Sequence, residues 1–543
     1  MPDVRVPDVR VPDVSVIVPV YNTMPYLTAC LDSLVAQSIG RDRLQIVAVD
    51  DGSTDGSGDE LDRFARAYPD VFTVIHQPNS GGPAQPCNRG LDVASGRFLF
   101  FIGADDYLGP EALERLVARA DEWDSDVVIG RMEGVGGRVV DQKLFTANAP
   151  DINFLDHPLA NSLSNTKLFR SSLIRQHRIR YALDLKVGSD QPFVVEAMTR
   201  ARRVSVLADY TCYYAVRRGD STNITYSSSW QSRLHDLGAV VNHIASVVEP
   251  GPVRDAILKR HFLLDLGKLI RVDLPTLPPE DQRALAAGFA KLADSYLTDG
   301  ISRALWASAR LRLRLAQAGE LESLHRVLRF QAEAARPPMV LDGDRVYSWF
   351  PGFRDPRTSY PDEWYEMTAE GTWDRLVRGV VISDVRLGRA HLEVSGQVGV
   401  SPDSAKNVRL ALLRLGPEEV PPPNRRLIST DVPAATESAV ELIPLDYGGP
   451  SGLIAAVPFR QLLPRDTDGK GAHPTDPARW SLRLRVDVGR WTYDLPLQLS
   501  RVMQTVTWRQ GLQRHRITLW SSDRDGVVTA VERLHARSSA RAR

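Results

Sequence analysis

Early in the chain, three short and almost wholly apolar runs each end in a polar or acidic turn. Val14-Ser-Val-Ile-Val-Pro-Val20 runs into Tyr21-Asn22, and Leu44-Gln-Ile-Val-Ala-Val49 into Asp50-Asp51-Gly52-Ser53-Thr54-Asp55. Phe98-Leu-Phe-Phe-Ile102 runs into Gly103-Ala-Asp105-Asp106-Tyr107. Runs of this length, rich in β-branched and aromatic residues, predict strands buried on both faces. Helical spacing fills the intervals: Leu27, Cys30, Leu31, Leu34 and Val35 share one face of a helix from about Pro25. A helix to about Tyr68, a strand at Val71–His76 and a helix at about 87–94 complete the alternation. This order predicts a doubly wound, mostly parallel sheet, whose ligand crevice lies beyond the carboxyl ends of its strands.

The acidic turns fall at those ends. Asp105 and Asp106 offer the hard oxygen ligands that hold Mg²⁺ or Mn²⁺. The plainer reading of each turn is structural: Gly52 for a tight turn, Ser53 or Thr54 as an N-cap, and a polar strand-to-helix corner at 105–106. No Gly-x-Gly-x-x-Gly and no Walker loop is present, so a glycine cradle for phosphate is not expected. Residue chemistry alone therefore points to an α/β enzyme that uses a divalent metal and a phosphorylated substrate.

Composition sets the outer bounds. With 67 basic and 67 acidic side chains the formal charge is zero, which gives no whole-molecule attraction to nucleic acid. Cys30, Cys87 and Cys212 are too few and too scattered for a disulfide framework or a zinc site. No apolar run approaches the ~18 residues of a membrane span, and the start of the chain lacks a signal-peptide core, so a cytoplasmic location is expected.

The motifs Val16-Ile-Val-Pro-Val-Tyr-Asn22, Val49-Asp-Asp-Gly-Ser-Thr-Asp55 and Gly103-Ala-Asp-Asp106 resemble those of the family 2 inverting glycosyltransferases of GT-A fold. A narrower set is similar to wall teichoic acid poly(ribitol phosphate) β-N-acetylglucosaminyltransferases. It comprises Asn79-Ser-Gly-Gly-Pro-Ala-Gln-Pro86, Asn165-Thr-Lys-Leu-Phe-Arg170, Ser189-Asp-Gln191 and Cys212-Tyr-Tyr-Ala-Val-Arg-Arg218. The resemblance implies that Pro19, Tyr21 and Asp51 hold a uridine and that Asn79 borders the nucleotide sugar. It further implies that Asp105 and Asp106 carry the metal, that Arg217 or Arg218 approaches the diphosphate, and that Asp190 is the general base. The donor would be a UDP-sugar, UDP-GlcNAc first, and the acceptor a polyol-phosphate or other cell-wall polymer. A capsule or lipid-linked oligosaccharide acceptor, and an inactive polymer-binding scaffold, stand as alternatives. Asp190 also has a bland reading as a helix N-cap ahead of Phe193–Met198.

Four positions depart from the family pattern. Gly103 replaces the first aspartate of an Asp-x-Asp, Ser189 the glutamate before the base, and Cys87 the arginine of Pro-Arg-Asn. The stretch Gly219-Asp-Ser-Thr-Asn223 lacks the histidine often found there.

The expected organisation is a disordered leader at 1–13, a GT-A domain at 14–225, a helical linker at 226–336 and a β-sandwich at 337–543. Leu258, Phe262, Leu266, Leu269 and Ile270 set the helical period, and Leu305, Leu311, Leu315, Leu324 and Leu328 predict two more helices broken near Gly319. Arg303, Arg310, Arg312 and Arg314 are taken as a solvated helix face. Beyond Pro337-Pro338 the period becomes two, as in Leu392, Val394, Val398 and Val400 and in Leu482, Leu484, Val486 and Val488, with surface loops at 417–423 and 464–478. In the resembling enzymes such domains mediate trimerisation, so a homo-oligomer is expected. Arg533, Arg537, Arg541 and Arg543 form a basic tail, read as a frayed end rather than a peripheral contact with the inner face of the membrane.

Overall fold

The structure is a computed structural model. It describes residues 11–185, 188–218, 229–333, 337–397, 399–401, 404, 407–415, 425–428, 440–443, 452–463, 478–497, 499, 503–510, 513–522 and 526–534. Most of the leader, the stretch 219–223, Val398, the loops at 417–423 and 464–477 and the tail from 535 lie outside the described residues. The chain forms two compact units, Met1–Ser302 and Arg303–Arg543.

The first unit is built on an eight-stranded sheet. Its strands are β1 (Val14–Val20), β2 (Leu44–Asp50), β3 (Phe72–His76), β4 (Phe98–Phe101), β5 (Tyr107–Leu108), β6 (Val127–Val135), β7 (Leu168–Arg170) and β8 (Val204–Val216). The order across the sheet is β3-β2-β1-β4-β7-β6-β8-β5. β1, β2, β3 and β4 run parallel, as do β6 and β8, while β7 pairs antiparallel with both β4 and β6. The mostly parallel sheet expected from the alternation is thus present, and register brings the turns that follow β1, β2 and β4 to the same side of it. Val20 lies opposite Asp50 and Ile17 opposite Phe101, so β1, β2 and β4 end at one edge. Helices α1 (Tyr26–Val35), α2 (Ser57–Ala67), α3 (Ala84–Val93) and α4 (Ala112–Glu122) connect the strands. Leu27, Leu31, Leu61, Phe64 and Leu116 from these helices join Val16, Val18, Ile46, Phe98 and Phe100 from the strands in one buried core. Two short helices, α5 (Ser171–Gln176) and α6 (Asp190–Arg200), precede β8.

Beyond β8 the first unit is helical: α7 (Trp230–Val247), α8 (Pro252–Arg260) and α9 (Pro279–Tyr296). α8 continues through π-helical turns at His261–Asp265 and Leu269–Asp273, which the apolar spacing alone did not disclose. α10 (Asp299–Ala304) leads into the second unit, where α11 (Ala307–Gln317) and α12 (Leu321–Glu333) break around Gly319 as expected. The arginine reading needs correction. Arg310 is buried at 5% exposure, its guanidinium donating to the carbonyls of Glu363, Glu366, Arg303 and Leu305.

Strands β9 (Met339–Asp342) and β10 (Arg345–Ser348) pair as a ribbon, and helix α13 (Ala369–Gly379) follows, unforeseen by the period-two reading. β11 (Val381–Leu387), β12 (His391–Gln397) and β16 (Gly452–Pro458) form one antiparallel sheet. The other contains β13 (Val408–Leu415), β14 (Arg425–Ile428), β15 (Val440–Ile443), β17 (Ala478–Val488), β18 (Trp491–Pro496), β19 (Met503–Gln510), β20 (Gln513–Ser522) and β21 (Gly526–Leu534). Val385, Leu392, Val394 and Val457 of the first sheet share a core with Leu410, Leu482, Leu484, Tyr493 and Ile517 of the second. Alternate inward residues thus give the sandwich its core.

Candidate active site

The loops after β1 and β2 are laced together. Asn22, at φ 48°, accepts the Thr54 N–H at 2.8 Å and gives its own to Ser53 Oγ at 3.1 Å. Thr23 N donates to Ser57 Oγ and Met24 N to Asp55 Oδ2. Neither Ser53 nor Thr54 caps a helix: α2 begins at Ser57, where Asp55 Oδ1 takes the first N–H at 3.0 Å. Gly52 has φ 78°, and a Cβ there would stand 2.8 Å from Asn79 N, so the 77–82 loop lies directly on this turn. Asp51, 2% exposed, accepts from Gln77 Nε2 at 2.6 Å, from Ser80 N at 3.1 Å and from Ser80 Oγ at 2.9 Å. The 77–82 loop is therefore fastened to Asp51, the residue that the resemblance gives to the uracil. Pro19 is half-buried at the end of β1, while Tyr21 and Asn79 are exposed beside it. Asn79 Oδ1 takes the Gly81 N–H at 2.9 Å.

The acidic pair after β4 is gripped by β8. Tyr213, fully buried, donates its hydroxyl to Asp106 Oδ2 at 2.5 Å and accepts the Gly103 N–H at 3.1 Å. Val216 N reaches Asp106 Oδ1 at 2.7 Å. Burial, and then the neighbouring Asp105 charge, push the Asp106 carboxyl up to about 6. Arg218 Nε donates to Asp105 Oδ2 at 2.7 Å. Arg217 instead has an exposed side chain, its N–H joined to Val135 at 3.1 Å. Of the two arginines, Arg218 is thus the one at the acidic pair. Gly103 leaves room for the pair: a Cβ there would lie a tight 3.0 Å from both Asp105 Oδ1 and Asp106 Oδ2.

These residues fit a divalent cation. Two like charges crowd one turn, burial raises the carboxyl of one of them, and added positive charge relieves both effects. Mg²⁺ or Mn²⁺ characteristically takes one or two carboxylates and fills its other positions with phosphate oxygens and water. Among the described residues no group of three or more His, Cys, Asp or Glu side chains is placed to hold a metal, so substrate oxygens would have to complete the shell.

Asp190 is the first residue of α6, and Ser189 occupies the cap position without a side-chain capping bond. The carboxyl lies within electrostatic reach of the Asn165 main chain and of Cys87, Lys167, Tyr181 and Arg260. Burial pushes the Asp190 carboxyl up, with Lys167 and Arg260 pulling it back. Lys167 is wholly buried and Asn165 Nδ2 donates to Tyr181 Oη at 2.8 Å. Cys87 fills its place on α3 as a buried thiol held protonated by burial and by the Asp190 charge. Arg260 is held by Asp265 of its own helical segment, and Ser189 is itself buried.

Tyr213 and Lys167 had no role in the sequence reading. Each lies inside a quoted motif, yet one looks like an ordinary strand residue and the other like an ordinary surface lysine. Gln77 and Ser80 likewise carried no signal beyond a polar loop.

Residues 15–184 match the Glycosyl transferase family 2 model. The chain carries a family 2 glycosyltransferase domain. Residues 233–328 match the Glycosyl transferase TarS linker domain. A poly(ribitol-phosphate) beta-glucosyltransferase of Bacillus spizizenii is 28% identical over 376 residues, covering 68% of this chain and 58% of that protein. The poly(ribitol-phosphate) beta-N-acetylglucosaminyltransferase TarS of Staphylococcus aureus is 37% identical over 257 residues, 46% of this chain and 44% of TarS. The chain spans about half the length of these curated relatives. The crystal structure of S. aureus TarS shares the fold across 96% of this chain and 86% of its own, at TM-score 0.62 and 20% identity. An N-terminal piece of TarS solved in complex with UDP-GlcNAc superposes at TM-score 0.57 and 26% identity, over 66% of this chain and 99% of that piece. The family 2 domain, helical linker and antiparallel β-domain expected from the sequence thus stand together in one known architecture. No described helix is long and apolar enough to cross a membrane.

Proposed function

We propose that this chain is a metal-dependent inverting glycosyltransferase that moves a sugar from a UDP-sugar to a hydroxyl of a polyol-phosphate wall polymer. The observation that carries the reading is the acidic pair: Asp105 and Asp106 stand at the end of β4, with Asp106 gripped by Tyr213 and Val216 and Asp105 by Arg218. The two relatives named above support the polymer, and the TarS piece solved with UDP-GlcNAc supports that donor. UDP-glucose is the second candidate, because the Bacillus relative is named a glucosyltransferase.

Asp51 and the loop fastened to it would receive the base and ribose, with Pro19, Tyr21 and Asn79 around them. A divalent ion held at Asp105 and Asp106 would supply Lewis-acid stabilisation to the departing diphosphate. Arg218 adds charge-assisted donors on the same side. Asp190 takes the acceptor hydroxyl proton while the new C–O bond forms and the bond to the diphosphate breaks, inverting the anomeric centre.

A UDP-release assay with UDP-GlcNAc and UDP-glucose against poly(ribitol phosphate), poly(glycerol phosphate) and a neutral glycan tests this. EDTA should abolish release and Mn²⁺ restore it. Asp190→Asn should lower turnover at least ~10³-fold while UDP binding persists. Wild-type turnover by that variant removes the base assignment, and release indifferent to EDTA removes the metal.

A further inference from the structure

Arg218 already brings a cation to the acidic pair that would receive a divalent metal. Its Nε donates to Asp105 Oδ2 at 2.7 Å, and the two side chains are only 19% and 17% exposed, so this ion pair is largely withdrawn from water. The other guanidinium of the region, on Arg138, donates instead to the Val216 carbonyl at 3.2 Å. Asp106 is held by neutral donors alone, the Tyr213 hydroxyl at 2.5 Å and the Val216 N–H at 2.7 Å. Asp105 Oδ1 and Asp106 Oδ2 each stand 3.0 Å from the point that a Cβ on Gly103 would occupy. Two carboxylates thus converge on one spot, and one guanidinium offsets one of their two charges.

That arrangement sets two cations against each other. A metal ion at the pair meets the guanidinium charge on the same carboxylate, and in a partly dry site such repulsion is felt more strongly than in water. A diphosphate removes the conflict. Its oxygens suit the guanidinium fork as well as a carboxylate does, and they carry more charge. Arg218 stands two residues beyond Val216, whose N–H holds Asp106, so the end of β8 keeps this guanidinium beside the pair.

We propose that Arg218 is a positioning residue that couples metal to nucleotide: it occupies Asp105 until a nucleoside diphosphate draws its guanidinium away. This rests on the reading that Asp105 and Asp106 hold a metal and that the donor is a nucleoside diphosphate sugar. While Arg218 pairs with Asp105, it lowers the affinity of the pair for a divalent ion. When it turns to the diphosphate, that affinity is restored, and by linkage the metal strengthens the diphosphate by the same factor. Metal and diphosphate therefore load together. A nucleoside without phosphates offers Arg218 nothing to exchange for, and so leaves the metal weakly held.

The test reads two affinities of the full chain: Mn²⁺ without nucleotide, by electron paramagnetic resonance titration, and UDP at saturating Mn²⁺, by calorimetry. Arg218→Gln should tighten nucleotide-free Mn²⁺ at least ~5-fold and weaken UDP at least ~10-fold. Arg218→Lys, which keeps the charge, should hold nucleotide-free Mn²⁺ within ~2-fold of wild type. The opposite signs identify the coupling. An arginine that merely supports the fold would weaken both ligands, and one that only binds diphosphate would leave Mn²⁺ unchanged; either result overturns the inference. Should Arg218→Gln not fold, Arg218→Met carries the same prediction. Uridine should leave the wild-type Mn²⁺ affinity unchanged, and a uridine effect as large as that of UDP overturns the inference as well. Failure of the underlying reading looks different: Mn²⁺ that still binds after Asp105→Asn combined with Asp106→Asn, or that binds no form of the chain with or without UDP, removes the metal site itself.

Discussion

A side chain at position 103 would run into the acidic pair. The sequence marks Gly103 as a missing carboxylate, but the geometry gives the glycine a reason, since even a methyl group would sit 3.0 Å from an oxygen of each aspartate. Gly103→Ala should therefore displace both ligands by a few tenths of an ångström. Mn²⁺ affinity, read by electron paramagnetic resonance titration, should drop several-fold while the fold stays intact; unchanged affinity would show that the pair does not bind metal as drawn. The pH dependence has a definite sign. With its pKa raised to about 6 from 3.8, Asp106 favours the folded state when protonated. That contribution is complete below about 4 and is lost as pH rises through about 6. Metal affinity should run the opposite way, falling as pH drops below about 6, because the ligand must be ionised. Carboxylates at strand ends were legible from sequence because an apolar run followed by Asp-Asp is rare and placed by topology. Tyr213 was not, because its hydroxyl matters only once β8 is laid beside the turn after β4, a pairing between residues 110 positions apart for the Gly103 contact. Asp190 was ambiguous for a similar reason. An aspartate at a helix start is a common cap, yet here Ser189 holds the cap position, without a side-chain capping bond, and Asp190 is the first helical residue.

At the scale of elements, hydrophobic period placed the first four strands, β12, β17 and the helix break near Gly319, left β5 to β8 unread, and failed where polar atoms decide. Arg310, Arg312 and Arg314 cannot share one helix face, since residues two apart lie about 200° around the axis. α11 has no exposed residue from Ala307 to Gln317, so its arginines had to find partners inside. Arg310 became a hub that joins α11 to main-chain carbonyls of the Asp362–Glu366 segment, at 2.7 Å to Glu363 and 2.6 Å to Glu366. Arg310→Met keeps the bulk but leaves buried carbonyls without donors, and should cost on the order of 3 kcal/mol. Urea unfolding followed by tryptophan fluorescence measures this, and a loss under ~0.5 kcal/mol would show that water replaces the guanidinium. The π-helical turns after α8 escaped notice because Phe262, Leu266 and Leu269 satisfy a plain α-helical period equally well, and α13 because its segment was already assigned to strands.

For the whole molecule, the zero formal charge means that the proposed recognition of an anionic polymer and any assembly with other copies would have to depend on local surfaces. The sandwich offers one candidate for assembly. β19 ends its sheet, pairing with β20 along one edge, and no described strand pairs with the other. Exposed and half-buried residues alternate along it, and Met503 is 83% exposed at its start. An edge strand with an apolar side chain at its end can template a further strand, although here Leu387 N of β11 donates to Gln504 of β19 and the strand carries the exposed Arg509, which works against such pairing. The resemblance leads one to expect self-association through the C-terminal β-domain, and this edge is the surface of it proposed here. Light scattering on the intact chain should then give a mass that is a multiple of 60.3 kDa. Met503→Lys, which places charge at the edge without touching the core, should shift the population toward the monomer. Sugar transfer to a short acceptor should survive that change, because the residues proposed for catalysis all belong to the first unit. A wild-type chain that scatters as a monomer at micromolar concentration would refute the assembly, and a Met503→Lys variant still fully associated would move the interface off β19.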